Sequence, residues 1–175
     1  MKILLIGSPG SGKSTFASEI EQVSDIAILH LDRIWHTTDY SQEAEKWFVS
    51  EQEKFMTSHD SWIVDGNYFG SMDTRLKYAD TVVLLNISKY KRVYRIIKRS
   101  IKRRLSKNSQ ADMASNFSEK FDREYFDFLK FAWNYDKNFE SKEKELGIVN
   151  PIIIRNQKDK EKFIDRLLGN SRKKS

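Results

Sequence analysis

The sequence contains no cysteine, which excludes a disulfide framework. Long apolar runs are equally scarce. None approaches the length of a bilayer span, and the first residues lack the charged-then-apolar layout of a secretory signal. These absences predict a soluble cytoplasmic chain. Internal repeats are missing as well, and so are recognised base-reading signatures such as a helix-turn-helix or a zinc site. That argues against specific DNA reading and leaves nonspecific contact open. Acidic charge is in short supply: 25 Asp and Glu against 31 Lys and Arg leave a formal net charge of +6. Such a balance suits a polyanionic partner, be it nucleic acid, a nucleotide or a phosphorylated metabolite.

At 175 residues the chain fits one domain with one substantial core. The expected domain is 1–168, followed by a polar, basic tail at 169–175 that frays. Short, continuous apolar runs predict strands over Lys2 to Ile6, Ile26 to Leu31, Trp62 to Val64, Thr81 to Ile87 and Pro151 to Ile154. Continuous rather than alternating apolar character belongs to strands buried on both faces. Between the runs, helical periodicity predicts helices over Lys13 to Val23, Ser41 to Thr57, Ser71 to Tyr78, Ser88 to Leu105, Ser118 to Leu146 and Lys158 to Leu168. Strand followed by helix, repeated, makes a three-layer α/β/α fold with a five-stranded parallel sheet. The irregular stretch Ser106 to Phe117 is either a lid, spanning about 103–116, or a solvated connection.

The first strand runs into Gly7-Ser8-Pro9-Gly10-Ser11-Gly12-Lys13-Ser14-Thr15. Gly7, Gly12, Lys13 and Ser14 satisfy G-x-x-x-x-G-K-S/T between a strand and an amphipathic helix, the setting of a P-loop. Glycines let successive backbone N–H groups curl around phosphate oxygens, and the helix N-terminus behind them adds a favourable dipole. Gly7, Ser8, Gly10, Ser11, Gly12 and Thr15 therefore form the expected nucleotide cradle. Lys13 would reach the β and γ phosphates, and the Ser14 hydroxyl would join the coordination sphere of Mg²⁺.

Further candidates collect at the carboxyl edge of the predicted sheet, where ligands of open α/β folds bind. Asp65 ends the strand Trp62 to Val64 and is read either as a second Mg²⁺ ligand or as a cap of the following turn. Asp32, after His30-Leu31, is read as a general base toward an acceptor hydroxyl or as a positioning or capping group. His30 itself, lone within an apolar run, reads as a structural histidine. Trp35, His36, Tyr40, Trp47 and Phe48 form either an acceptor pocket or core packing, with Arg33 and Tyr68 as nearby acceptor-binding candidates. Arg75 would clamp an anionic group of the acceptor or make a surface ion pair. Asn156 and Gln157 follow the last strand, a position assigned to adenine contact by fold analogy alone.

Every charged residue from Lys89 to Lys107 is a cation, while Val93, Ile97, Ile101 and Leu105 share one helical face. Arg95, Arg99 and Arg103, one turn apart, can face a single target, and cations there would stabilise charge on a transferring phosphoryl group. Contact with a nucleic-acid backbone or a merely solvated basic face are the two other readings.

Taken with the P-loop, four segments carry a family likeness. They are His30-Leu31-Asp32, Trp62-Ile63-Val64-Asp65-Gly66-Asn67-Tyr68, Arg75 before Ala79-Asp80, and Tyr94-Arg95-Ile96-Ile97-Lys98-Arg99. Over most of its length the chain resembles the DNA topology modulation proteins of the FlaR type, which are similar to adenylate kinases. The resemblance implies a P-loop kinase-like fold and ATP binding through Gly12, Lys13, Ser14 and Asp65. Its motifs describe a small-molecule kinase, whereas the family name suggests an effect on DNA. The sequence departs from the family pattern at Ser109-Gln110-Ala111, in place of an Arg-Pro-bearing lid, and at Asp136 to Lys142, which lacks an arginine. The combined expectation is an ATP- and Mg²⁺-dependent phosphotransferase acting on a nucleoside, nucleotide or other small acceptor. The alternative is an ATP-binding regulator that touches DNA nonspecifically.

Overall fold

The computed structural model describes residues 1–105 and 123–172. Five parallel strands form one sheet in the order β2-β3-β1-β4-β5. They are β1 (Lys2–Gly7), β2 (Ala27–His30), β3 (Trp62–Asp65), β4 (Thr81–Leu85) and β5 (Ile152–Ile154). The helices are α1 (Lys13–Glu21), α2 (Leu31–Trp35), α3 (Gln42–Ser58), α4 (Met72–Leu76), α5 (Lys89–Leu105), α6 (Arg123–Glu145) and α7 (Gln157–Arg172). The fold class expected from the apolar runs is the one observed.

Successive side chains of a strand point to opposite faces, so a continuous apolar run supplies two cores at once. Leu4 and Ile6 of β1 join Phe48 and Met56 of α3, Met72 of α4, and Tyr135 and Phe139 of α6 on one face. Ile3 and Leu5 join Phe16 and Ile20 of α1, and Phe163 and Leu167 of α7, on the other. The central strand β1 is buried from Ile3 onward. α5 packs on α6 through Ile96 against Tyr125, Leu129 and Ala132.

Several boundaries differ from expectation, among them β4, which stops at Leu85 rather than Ile87, and α1, which stops at Glu21 rather than Val23. The run Ile26 to Leu31 stops being a strand at His30, because Leu31 turns into α2 and packs its side chain against Gly66, where a Cβ would lie 2.8 Å from the Leu31 Cβ. α7 continues past the expected end at Leu168 to Arg172, through part of the segment expected to fray. Of the lid expected at about 103–116, residues 103–105 form the end of α5, and the rest, with Ser109-Gln110-Ala111, lies outside the described residues. Among the described residues no helix is long and apolar enough to cross a membrane.

Candidate functional site

The loop between β1 and α1 is wound by positive-φ glycines. Gly10 (φ 75°) lies so close to α5 that a Cβ would sit 2.7 Å from the Arg92 carbonyl oxygen, and Gly12 (φ 92°) is the residue from which α1 starts. Gly10→Ala is expected to cost about 1–3 kcal/mol, from left-handed backbone strain and the clash with α5. Thermal unfolding of that variant checks the figure; an unchanged melting temperature would mean the loop reshapes freely.

No side chain caps α1, and its first turn carries no acidic residue. Its free N–H groups and dipole are left for an anion. Ser8 is buried and Ser11 N–H donates to its carbonyl at 3.1 Å, closing the loop. The Ser11 hydroxyl is buried without a hydrogen-bond partner. Ser14 and Thr15 are exposed at the start of α1.

Lys13 folds back onto its own loop, its ammonium donating to the Gly7 carbonyl at 2.8 Å and lying 3.5 Å from that of Ser8. Desolvation lowers its pKa, opposed by the carboxylates of Asp65 and Asp32 and reinforced by the Arg99 guanidinium. Arg95 donates from Nη1 to the Ser11 carbonyl at 3.2 Å, so α5 lays this cation directly on the phosphate loop. Arg103 belongs to the α5 backbone, and its side chain lies outside the described residues.

Asp65 is buried at the end of β3. Its Oδ2 accepts from His30 Nδ1 at 3.0 Å, while Oδ1 is buried without a partner. An orphaned carboxylate oxygen is an acceptor waiting for a cation or a metal-bound water. Among the described residues no group of three or more acidic or imidazole side chains forms a self-sufficient metal cage. That suits Mg²⁺, which takes one or two protein ligands and completes its shell with phosphates and water. Ser14 and Asp65 fit that requirement.

His30 is held between two acids, with Nε2 3.3 Å from Glu21 Oε1, and the hydrogen bond to Asp65 is the main cause of its raised pKa. The folded-state pKa lies above the unfolded value of about 6.5. The bound proton therefore stabilises the fold fully below that pH, and the contribution disappears as pH rises through the folded-state pKa. Melting temperatures of wild type and His30→Gln, compared from pH 6 upward, should show a gap that narrows as pH increases. A constant gap would mean that His30 acts without its proton.

Asp32 stands not at a strand end but in the exposed first turn of α2, where Tyr68 Oη donates to its Oδ1 at 2.8 Å. Burial and this hydrogen bond push the Tyr68 phenol well up. Tyr68 occupies an unusual backbone state (φ 29°, ψ 64°) that aims its ring at Asp32. Trp35 packs on Phe48 and Tyr68 with ring centroids 5.0 and 6.1 Å apart, and on Tyr40 at 5.5 Å. Packing thus accounts for Trp35 and Phe48, whereas Trp47 is exposed. Arg33 is exposed beside Asp32.

Arg75 is neither a surface ion pair nor an exposed clamp. It is fully buried, and its guanidinium donates to the carbonyls of Gly66 (2.9 Å), Asn67 (2.7 Å), Tyr68 (2.6 Å) and Ser71 (3.4 Å). Burial pulls its pKa down to about 10, which leaves it a cation at neutral pH. Its place is beneath the turn after β3, fixing the backbone at Gly66, Asn67 and Tyr68. Asn156 caps α7, its Oδ1 accepting from the Asp159 N–H at 3.0 Å, and Gln157 begins that helix exposed.

Two residues went unassigned in the sequence reading. Asn67 bonds Gly7 in both directions, accepting from its N–H at 3.0 Å and donating to its carbonyl at 2.9 Å. The signal for it was its place directly after Gly66, in the turn that leaves β3, the neighbour of β1. Arg92 is buried and makes a bidentate pair with Asp136 at 2.6 and 2.9 Å, joining α5 to α6.

No protein-family profile and no curated protein matches the chain. Solved structures match it in fold. A shikimate kinase from Bacteroides thetaiotaomicron is 15% identical, with 98% of each chain covered and a TM-score of 0.55. A gluconokinase from Sinorhizobium meliloti 1021 is 15% identical over 99% of this chain and 97% of its own, at a TM-score of 0.56. A deoxyadenosine kinase from M. mycoides, solved with bound dCTP, is 18% identical over 97% of this chain and 100% of its own, at 0.51. At such identities the shared property is the fold, the helix-flanked parallel sheet of P-loop kinases.

Proposed function

We propose that the chain is an ATP-dependent phosphotransferase acting on a small hydroxyl- or phosphate-bearing acceptor of the nucleoside or nucleotide kind. The observation that carries this reading is the uncapped N-terminus of α1 behind the glycine loop, with Arg95 donating to the Ser11 carbonyl and a buried Asp65 oxygen left without a partner.

In this reading the loop N–H groups and Lys13 hold the β and γ phosphates, while Ser14 and Asp65 hold Mg²⁺. The metal would neutralise charge developing on the phosphates. Asp32, steadied through Oδ1 by Tyr68, presents its other oxygen to the acceptor. The acceptor oxygen bonds to the γ phosphorus as the bond to the bridging oxygen of ADP breaks, and the acceptor's proton passes to Asp32. Little base strength is needed, because the transition state is loose. Arg95 and Arg99 are placed to meet the charge spread over the γ-phosphoryl oxygens.

The likeness to FlaR-type proteins rests on the sequence motifs, and its kinase-like half agrees with this chemistry. Nonspecific DNA contact would instead use the exposed lysines of α5, Lys91, Lys98 and Lys102. Transfer of labelled γ-phosphate to a panel of nucleosides, nucleotides and small metabolites tests the proposal, with Lys13→Ala run beside the wild type. A labelled product that needs Lys13 supports it. A product formed equally well without Lys13 would sink it.

A further inference from the structure

His30, the last residue of β2, lies directly beside Asp65, the last residue of β3, in the parallel ladder. Its ring is buried and meets an acid at each nitrogen. Nδ1 is 3.0 Å from Asp65 Oδ2, and Nε2 is 3.3 Å from Oε1 of Glu21, the residue that ends α1. An ionised carboxylate only accepts, so a ring nitrogen that bonds one of these acids does so by donating its hydrogen.

The sheet fixes the backbone of Asp65, with Leu5 of β1 on one side and His30 on the other. It does not fix the carboxyl group. Rotation of an aspartate about its last side-chain bond is broad and roughly two-fold, so the plane of the oxygens is set by what bonds them. Here Oδ2 is taken by the imidazole, and Oδ1 is buried with no partner among the described residues. An oxygen so placed is an acceptor for a divalent cation or for water that the cation holds.

We propose that His30 is a positioning residue that grips Asp65 Oδ2 and so presents Oδ1 to the Mg²⁺ bound with the nucleotide. The inference rests on the reading of Asp65 as a magnesium residue given above.

Glu21 gives the ring its second anchor. An imidazole bonded at one nitrogen still swings about that bond, whereas one bonded at both is held in a single orientation, and so is the carboxylate that depends on it. Glu21 also ends the helix that starts at the phosphate loop. His30 therefore ties the far end of that helix to the acid at the end of β3.

A histidine that only fills the space between two acids and one that positions Asp65 make different demands on chemistry. The second needs a donor at the place of Nδ1. Asparagine and glutamine separate the two cases. The amide nitrogen of asparagine lies as many bonds beyond Cβ as Nδ1 does, and that of glutamine as many as Nε2. His30→Asn therefore keeps a donor for Asp65, while His30→Gln moves it toward Glu21.

The test is calorimetric titration of wild type, His30→Asn, His30→Gln and Asp65→Asn with ATP, once with Mg²⁺ and once with EDTA, at one pH and with thermal unfolding alongside. The readout is the gain in ATP affinity that the metal brings. His30→Asn is expected to keep a gain close to that of wild type. His30→Gln should lose about tenfold of it, the scale on which partners of metal ligands act, and Asp65→Asn should lose it altogether. Affinity in EDTA should be alike in the two His30 variants. A merely structural role would lower the melting temperature and both affinities together and leave the gain unchanged.

A gain in His30→Gln equal to that of wild type, or a gain in His30→Asn no larger than in His30→Gln, overturns the inference alone. Should His30→Gln fail to fold, His30→Asn decides: a gain at least tenfold below wild type in that variant overturns the inference, and a gain close to wild type supports it. Wild-type protein that gains nothing from Mg²⁺, or gains no more than Asp65→Asn, removes the magnesium reading of Asp65 and the inference with it.

Discussion

Lys13→Ala is expected to reduce phosphoryl transfer from ATP by at least about a hundredfold, the scale on which a single preorganised charge-stabilising donor acts. In the proposed reaction its ammonium would hold the β and γ phosphates. Desolvation works against its charge, while the carboxylates of Asp65 and Asp32 favour it. Phosphate oxygens arriving with ATP would replace those carboxylates as the partner of the cation, an exchange of one set of anions for a stronger one. The fold should survive, because what Lys13 contributes to it is a bond to a carbonyl that Asn67 also serves. The measurement is labelled transfer together with thermal unfolding. Lost transfer at an unchanged melting temperature is the expected pair, whereas a collapse of both would show that Lys13 holds the loop together.

Arg75→Ala should have the larger effect on stability, about 3 kcal/mol or more, because it empties a buried volume and leaves several carbonyls without donors. Arg75→Lys is expected to recover little. A point ammonium cannot fork to the carbonyls of Gly66, Asn67 and Tyr68 as the planar guanidinium does. Denaturant unfolding of both variants supplies the numbers. A loss below about 1 kcal/mol in Arg75→Ala would mean that water takes over the arginine's hydrogen bonds at little cost. Transfer should fall with stability here, since the turn that Arg75 secures carries both Asn67 and the Tyr68 that meets Asp32.

The strands and the phosphate loop were legible because each is written locally: an apolar run of strand length, or glycines and a lysine at fixed spacing. Asp32 was legible as a candidate but not in its setting. Leu31 continues the apolar run, and only its packing on Gly66, more than thirty positions onward, turns the chain into a helix one residue early. Arg75 was misread for a related reason. Its partners are main-chain carbonyls, which every residue possesses, so no complementary side chain advertises it. Asn67 was hidden by distance, because its contact with Gly7 exists only once β1 lies beside β3. Arg95 could be suspected from its one-turn spacing with Arg99, but a basic helix alone does not say which of its cations meets the loop and which, like Arg92, is consumed by an acid on α6.

The strand order has a consequence for how the molecule comes into being. β1 is made first, yet its two neighbours are β3 and β4, and β2 does not touch it. A chain emerging from a ribosome therefore carries β1 with both edges bare until residues 62–65 and 81–85 arrive to flank it. Closing loops of that size is slow compared with local helix formation. The loop after β1 cannot complete its contacts with Asn67 and α5 until those later segments are present. An amino-terminal fragment ending before β3 would keep every residue of the P-loop motif and lack the contacts that shape it.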